Sequence, residues 1–203
     1  MTLEIFDVDQ NSPECLTLRA GWPTASVLQT VQAKVGPRGG VAKGRQTLLY
    51  KLAGERLTGE PMETYQNADM QRGHDREAQA AAEYAFLTDS DPQVVGFMRN
   101  GNCGASPDRL VGSEGLLEIK DAAPHIQIPR LLAGVVPPEH IAQCQGQLMV
   151  SERKWVDFMS HCHGIAPLIV RVERDEEYIA ALRIAVNEFC DELDALVQKI
   201  GSM

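Results

Sequence analysis

The chain has 203 residues, of which 44% are hydrophobic and 23% charged, and its formal net charge is −9 at pH 7. This length suits one domain with a substantial apolar core, and no apolar run reaches the roughly 18 residues that a membrane-spanning helix needs. The N-terminus lacks the basic start of a signal peptide, and the five scattered cysteines are typical of reduced thiols in a cytoplasmic protein.

Charge is distributed unevenly along the chain. Residues 1–16 hold four acidic residues and no basic one, whereas residues 17–56 hold seven basic residues against Glu55 alone. The net charge argues against a nucleic-acid partner, but a basic block inside an acidic protein is what a DNA channel with a repelling exterior needs. A solvated basic surface is the alternative. The basic residues of this block are Arg19, Lys34, Arg38, Lys43, Arg45, Lys51 and Arg56.

The first elements combine capping residues with basic ones. Residues 1–16 are interpreted as an extended acidic segment, and Thr24 or Ser26 can cap a helix that runs to about Val35. Free backbone N–H groups at a helix start, with Arg19 nearby, can bind an anion such as phosphate. Simple capping, with the arginine on the surface, is the alternative.

Residues 36–45 form a predicted glycine-rich basic loop that lacks the GxxxxGK[ST] pattern of a nucleotide P-loop. Helices are then predicted from Gln46 to Leu57 and from Asp69 to Phe86. Glu77 lies beside a stripe of small residues on the second helix, where a carboxylate is costly unless it is paired or bound to a metal. A strand is predicted from Gln93 to Arg99.

Residues 106–120 predict a β-hairpin that can support catalysis. Two short apolar stretches flank Gly112-Ser113-Glu114-Gly115, which has the composition of a tight turn. Glu118 and Lys120 are two apart on the second strand and therefore share one face, and Asp108 at the start of the first strand can reach them. Neighbouring carboxylates favour a bound hard cation such as Mg²⁺, and a lysine beside that ion can orient an attacking water.

The spacing Pro-Asp, nine residues, Glu-x-Lys resembles the PD-(D/E)xK nuclease signature. An ordinary hairpin with a solvent-facing glutamate–lysine pair is the alternative. The elements predicted for the rest of the chain indicate an α/β (α+β) fold, in which helices flank a mixed central β-sheet. Its predicted elements are a mixed segment 121–136 with a short helix near Pro129, a helix Glu139–Val150, strands Lys154–His161 and Pro167–Val172, and an amphipathic helix Arg174–Ile200 covering one sheet face.

Four short motifs in one order resemble the phage lambda exonuclease (YqaJ-like) family, from about Leu18 to the C-terminal helix. The resemblance implies a restriction-endonuclease-like core and one domain, 1–203, with a basic portion at 17–56, a catalytic core at 66–172 and a C-terminal helix at 174–203. The motifs are Leu18-Arg19-x-Gly21 with Thr24-Ala25-Ser26, Gly73-x-x-x-Glu77, Ser106-Pro107-Asp108 with Gly115 to Lys120, and Ala142-Gln143-x-Gln145.

The resemblance also implies residue roles. Asp108 and Glu118 would bind metal together with the Ile119 carbonyl, with Glu77 as a third carboxylate, and Lys120 would position the attacking water. Two Mg²⁺ ions per site are expected, with Mn²⁺ as a possible substitute. The expected phosphate binders are Arg19, Ser26 and Ser106, with Gln145 as a support near the site.

The function implied by the resemblance is an ATP-independent, Mg²⁺-dependent 5′-to-3′ exonuclease acting on linear double-stranded DNA, with a preference for 5′-phosphorylated ends. It would release 5′-mononucleotides and pass the remaining 3′ strand to a phage single-strand annealing protein, in the cytoplasm of a bacterial host. The family forms homotrimeric rings, and the bore here would be lined by some of Lys34, Arg38, Lys43, Arg45 and Lys51. A site-specific PD-(D/E)xK endonuclease and a non-catalytic DNA-end-binding protein are the alternatives.

The chain departs from the family pattern in three places. Lys120 is followed by Asp121 and Ala122 instead of Cys-Pro, which adds a carboxylate near the predicted site. Cys15 replaces the aromatic residue usual before the N-terminal arginine, and segment 121–136 matches poorly.

Overall fold

The computed structural model describes residues 2–10, 12–33, 40, 42–62 and 68–203, the last range without the side chains of 68–75. The strands are β1 Leu3–Phe6, β2 Pro92–Gln93, β3 Phe97–Asn100, β4 Cys103–Ala105, β5 Arg109–Val111, β6 Gly115–Asp121, β7 Trp155–Cys162 and β8 Ile165–Glu173. The helices are α1 Pro13–Arg19, a 3₁₀ turn Ala25–Val27, α2 Leu28–Gln32, α3 Lys43–Thr58, α4 Ala68–Thr88, α5 Pro124–Ala133, α6 Pro138–Ser151 and α7 Glu176–Gly201. After β1, the described elements come in runs: helices as far as α4, then five strands, two helices, two strands and the C-terminal helix.

The described strands form two sheets. The larger sheet has the order β2-β5-β6-β7-β8, in which β6 and β7 run parallel and the other neighbours run antiparallel. The smaller sheet, β1-β3-β4, is antiparallel. Helices pack on both faces of the larger sheet, so the predicted class, a mixed sheet flanked by helices, is confirmed.

Side-chain alternation along β6 and β7 divides the core between the two faces of the sheet. Leu116 and Phe158 belong to the larger cluster, which also contains residues of α2, α3, α6 and α7. Leu117 and Met159 belong to a smaller cluster built with α4. The central strand β6 therefore lies between α6 on one face and α4 on the other.

Several predicted boundaries differ from the structure. The predicted extended segment, residues 1–16, contains the strand β1 and the start of α1, and Ser12 caps α1 through a hydrogen bond from the Cys15 amide. Where a helix is predicted from residue 24 to 35, the described part has a 3₁₀ turn followed by the short α2, and Thr24 makes no side-chain cap; residues 34 and 35 lie outside the described residues. None of the described helices is long and apolar enough to cross a membrane.

The predicted strand 93–99 is interrupted between β2 and β3 because the N-terminal segment lies against the chain at Gly96. A Cβ built there would stand 2.2 Å from the Phe6 carbonyl oxygen, so only glycine permits this approach. Segment 121–136 contains α5, which includes Pro129. Helix α7 packs mainly on α2, α3 and α6, so it lies over helices rather than spreading across the sheet as predicted.

Candidate active site

The short strand β5 leaves part of β6 uncovered, and Asp108 occupies that part. β5 pairs with β6 only from Gly115 to Leu117. Just beyond, the Asp108 Oδ2 atom accepts a hydrogen bond of 2.5 Å from the Ile119 amide. The carboxylate thus replaces a strand partner at the edge of β6 and is fixed beside the next two residues of that strand.

Glu118 and Lys120 share one face of β6, as their spacing predicts. Their Oε1 and Nζ atoms lie 2.5 Å apart. Glu118 is only 2% exposed, and two amides of α6 complete its hydrogen bonds. Gln143 donates to Oε1 at 2.5 Å and Gln147 donates to Oε2. These donors compensate for burial of the carboxylate without adding charge.

The structure corrects the expectation for Gln145. Its Nε2 donates to the Glu173 carbonyl at 2.9 Å and its Oε1 accepts from the Asp175 amide at 3.1 Å, so it ties α6 to the start of α7 and does not face the site. The glutamines at the site are Gln143 and Gln147. Their i, i+4 spacing puts them on one helix face, and that was the available sequence signal.

Glu77 on α4 reaches the same region through an arginine. Its Oε1 lies 2.5 Å from Arg109 Nη1, which also donates to the Asp108 carbonyl at 2.5 Å. The arginine therefore connects the helical carboxylate to the backbone of Asp108. The structure thus shows Glu77 paired with an arginine, and its predicted role as a third carboxylate at a metal stays a prediction.

The charges at the site disfavour an ionised Asp108. Burial raises the pKa of its carboxyl well above the usual range, and the Glu118 and Glu77 charges raise it further, against the Ile119 amide and Lys120. Burial lowers the pKa of Lys120, but Glu118 and Asp108 outweigh burial and the pKa is raised. Burial, then Glu118, raises the pKa of the Cys144 thiol to about 12. A bound cation would relieve this excess of negative charge.

The additional carboxylate, Asp121, points away from Glu118, since adjacent strand residues alternate between faces. Its Oδ1 lies 3.2 Å from His161 Nδ1 and its Oδ2 lies 3.4 Å from Arg76 Nη1. His161 Nε2 in turn lies 3.5 Å from Glu83 Oε2. Asp121 thus takes part in a network under α4. In the part of the chain described, no set of three or more His, Cys, Asp or Glu side chains is arranged to hold a metal ion.

Three of the residues expected to contact DNA line one cavity of about 410 Å³ between the 3₁₀ turn and α3. They are Arg19 and Ser26, which are expected to bind a phosphate, and Lys51, which is expected to contact DNA in the bore. Lys51 also lies 3.8 Å from Glu55, which accepts a hydrogen bond of 2.7 Å from the Gly21 amide. Sequence-distant cations and a hydroxyl thus converge on one concave surface.

Ser106 lies two residues before Asp108, outside that cavity. Its hydroxyl oxygen is buried and has no hydrogen-bond partner among the described residues. Such an oxygen is costly to leave unpaired. The position therefore suits a ligand oxygen supplied from outside the chain.

The structure corrects the expectation for Arg45 and leaves the other bore residues as predictions. Arg45 is 6% exposed, and it forms a bidentate pair with Glu192 at 2.7 and 2.8 Å, so its guanidinium is not presented to a phosphate. Lys43 is exposed at the start of α3. Lys34 and Arg38 lie outside the described residues.

The chain resembles known proteins in sequence and in fold. Residues 16–154 match the model of the YqaJ-like viral recombinase domain. The structure is similar to an alkaline exonuclease from Laribacter hongkongensis, with 33% identity, a TM-score of 0.85, and coverage of 94% of this chain and 97% of that one. The same enzyme in complex with dAMP also matches, at 33% identity and TM-score 0.85, over 93% of this chain and 96% of that one.

A phage-related exonuclease from Haemophilus somnus 129PT shares the fold, at 14% identity and TM-score 0.69, over 91% of this chain and 99% of that one. The comparison with curated proteins gave no match. The family match spans most of the chain and includes the uncovered edge of β6 with Asp108, Glu118 and Lys120. The chain therefore belongs to the YqaJ-like viral recombinase family, as its sequence motifs predict.

Proposed function

We propose that this protein is a metal-dependent, ATP-independent nuclease that degrades linear double-stranded DNA from its 5′ ends. The observation that carries the proposal is the cluster on β6, in which Asp108, Glu118 and Lys120 converge beside two supporting glutamines. Membership of a family that includes exonucleases supports the same interpretation. The products would be 5′-mononucleotides and a 3′ single strand.

The donor set fits a hard cation. Asp108 and Glu118 would hold Mg²⁺, or Mn²⁺ in its place, together with the Ile119 carbonyl, and Glu77 would assist from α4. Mg²⁺ takes few protein carboxylates and keeps water or phosphate oxygens, which suits a site where two carboxylates are in direct reach. Bound here, one or two such ions would neutralise phosphate charge and lower the pKa of a water.

Lys120 would orient the water for in-line attack on phosphorus. Its ammonium is held by Glu118 at 2.5 Å, so its donors are fixed at the edge of the site. In the reaction the water oxygen loses one proton and bonds to phosphorus, the bond from phosphorus to the 3′ oxygen breaks, and that oxygen takes up one proton, so that one water is added across the bond. Ser106 would donate its otherwise unpaired hydroxyl to a phosphate oxygen.

The cavity lined by Arg19, Ser26 and Lys51 would receive the terminal 5′ phosphate. A guanidinium, an ammonium and a hydroxyl together suit that dianion. Thr24, which lines this cavity, forms a parallel β-bridge with Gly104 of β4, and the chain runs from β4 directly to Ser106 and Asp108. Holding a 5′ phosphate beside the metal site would give the 5′-to-3′ direction. A homotrimeric ring and a single-strand annealing partner belong to the same proposal.

The test uses linear duplexes labelled at either end and a closed circular duplex. With Mg²⁺, wild-type protein should release acid-soluble 5′-mononucleotides from the linear DNA, starting at 5′ ends. Asp108→Ala and Glu118→Ala should lose at least about 100-fold in rate, because each empties part of the metal site. Glu114→Ala, at an exposed carboxylate of the hairpin turn, should remain fully active.

Cleavage of the circle would favour the site-specific endonuclease. Stable binding of ends without nucleotide release by the wild type would favour the non-catalytic end-binding protein. Near-normal turnover in Asp108→Ala or Glu118→Ala would refute the assignment of the site.

A further inference from the structure

Arg130 on α5 is a cation that the roles above do not use. Its Nη1 donates to the Ser160 hydroxyl at 3.0 Å, and its Nη2 lies 3.2 Å from His140 Nε2. Arginine does not lose its proton, so His140 accepts at Nε2 and is neutral there. The Ser160 hydroxyl donates onward to Gln127 Oε1 at 2.6 Å, which fixes its lone pair toward the arginine. The guanidinium is therefore held in place by neutral groups.

This guanidinium lies next to the catalytic face of β6. Ser160 is the register partner of Lys120 in the parallel β6–β7 pair, and side chains at paired positions project from the same face, about 4.8 Å apart along the sheet. His140 stacks on Phe158, the partner of Glu118, with ring centroids 5.1 Å apart. Arg130 thus flanks Lys120 on the β7 side, whereas Asp108 flanks it on the β5 side.

The charge of Arg130 is not neutralised within the described chain. None of the described carboxylates forms an ion pair with it. Burial lowers the pKa of Arg130, and the charge of Glu139 raises it by less. A guanidinium has five N–H donors in a fixed fork, and the bonds to Ser160 and His140 use two of them. Such a preorganised fork matches the oxygens of a phosphate.

We propose that Arg130, held by Ser160 and His140, binds the DNA phosphate one linkage to the 3′ side of the cleaved bond. This inference rests on the proposed function. The cavity with Arg19 and Ser26 is connected through β4 to the Asp108 side of the site. When the 5′ end of a strand is held in that cavity, its scissile phosphate lies at Asp108 and Lys120. Its next phosphate then reaches the β7 side, where Arg130 lies.

A purely structural role would use the same hydrogen bonds, because Arg130 also joins α5 to α6 and β7. The two roles differ in their dependence on one phosphate charge. A methylphosphonate linkage, which is neutral, can remove that charge from the DNA while leaving the protein unchanged. A double-mutant-type cycle, in which Arg130 is changed in the protein and the linkage is neutralised in the DNA, measures the interaction energy between Arg130 and that phosphate directly.

The experiment measures kcat/KM for release of the first nucleotide. The substrates are 5′-phosphorylated duplexes with and without a methylphosphonate at the second linkage from the 5′ end. In wild-type protein the neutral linkage should lower kcat/KM by about tenfold, as expected for removal of a charged hydrogen bond. In Arg130→Met the same linkage should cost less than about twofold. Equal losses in wild type and variant would overturn the proposal.

Arg153→Met is the matched control. Burial also lowers the pKa of Arg153, but its Nη1 is engaged by the Gly112 and Gly115 carbonyls at 2.8 and 2.7 Å, at the opposite end of β6. This variant should keep the full tenfold effect of the neutral linkage. Loss of the effect in Arg153→Met as well would show that it is not specific to Arg130, and would also overturn the proposal.

A second measurement needs no folded variant. With wild-type protein, a neutral linkage at the second position should cost several-fold more than one at the fourth, and equal costs would overturn the proposal. A wild-type protein that degrades no linear duplex with Mg²⁺ refutes the proposed function itself. Normal degradation without coupling refutes the role of Arg130 alone.

Discussion

At the scale of single residues, Glu118 shows how a buried carboxylate is kept available for a cation. Lys120 and Gln143 occupy one of its oxygens and Gln147 the other. Two of the three donors are neutral amides, which lower the cost of burial without adding charge, and the single Lys120 ammonium is shared between the Glu118 and Asp108 carboxylates. The negative charge of Glu118 acts on Asp108, whose ionisation is opposed. The site is therefore electrostatically strained until a cation binds.

This strain predicts that Asp108→Asn stabilises the metal-free protein while abolishing activity. The folded-state pKa of Asp108 lies above its unfolded value, mainly through burial. Its cost to folding is therefore absent below the unfolded pKa and grows as the pH rises through the folded pKa. In EDTA at pH 8, the midpoint of thermal unfolding should rise by about 2–4 °C, the equivalent of about 1 kcal/mol.

The gain should shrink as the pH is lowered toward 4, where the aspartate is itself protonated. Glu114→Gln, at an exposed turn position, serves as the control and should leave the midpoint unchanged. An equal or lower midpoint for Asp108→Asn at pH 8 would contradict the argument.

What the sequence could predict at this scale follows from how local each signal is. The sequence predicts that Asp108, Glu118 and Lys120 lie close together, because the turn and the two-residue period of a strand are local properties. The expectation for Gln145, which the family resemblance implies, is wrong because tertiary packing decides which face of α6 meets the sheet. The support of Arg130 by Ser160 and His140 joins three separate elements, and no short motif encodes it.

At the scale of elements, α3 is held against α7 by Arg45, a residue predicted from the sequence to line the DNA-binding bore. Arg45 pairs with Glu192, donates to the Val31 carbonyl at 3.2 Å, and lies 5.1 Å over the Phe189 ring. Nothing local distinguishes this buried arginine from the exposed Lys43 two residues earlier. A count of positive charges therefore overestimates the surface available for phosphates.

Arg45→Met should weaken this clamp without changing how DNA is held. Arg45 is buried but Glu192 is half-exposed, so the substitution should cost less than breaking a fully buried ion pair. We expect the free energy of unfolding to fall by about 2 kcal/mol and the unfolding midpoint by about 4–8 °C. The salt dependence of DNA binding, measured below that midpoint, should equal that of the wild type. A reduced salt slope with unchanged stability would show instead that Arg45 contacts phosphates.

At the scale of the whole molecule, a chain of 22.3 kDa is small compared with the duplex that it would have to enclose. Cyclic symmetry solves this by repeating one patch around a shared channel. The proposed ring would place the exposed Lys43 of each protomer toward the DNA and the acidic remainder of the surface outward. Such binding to phosphates holds DNA without reading its sequence.

Lys43→Met should therefore shorten the length of DNA degraded per binding event several-fold at moderate salt, while the single-turnover rate changes less than twofold. The slope of log binding constant against log salt should fall by about 0.9 for each phosphate that the protein no longer neutralises. Light scattering of the wild type should give three times the mass of one chain. A monomer with full processivity, or a Lys43→Met protein as processive as wild type, would contradict this arrangement.

The parallel pairing of β6 with β7 has a consequence for the order of folding. Residues 122–154 separate the two strands and carry α5 and α6, so the pair closes only after a long loop has been ordered. Leu3 of β1 must likewise find Asn100 of β3. Loop-closure entropy opposes such distant pairings until they form, and proteins dominated by them fold slowly. Gln143 and Arg130 lie on the helices of this same connection, so they take their places beside β6 only when the β6–β7 pair forms. The site is therefore completed among the last steps of folding, and we expect recovery of activity on refolding to lag behind helix formation.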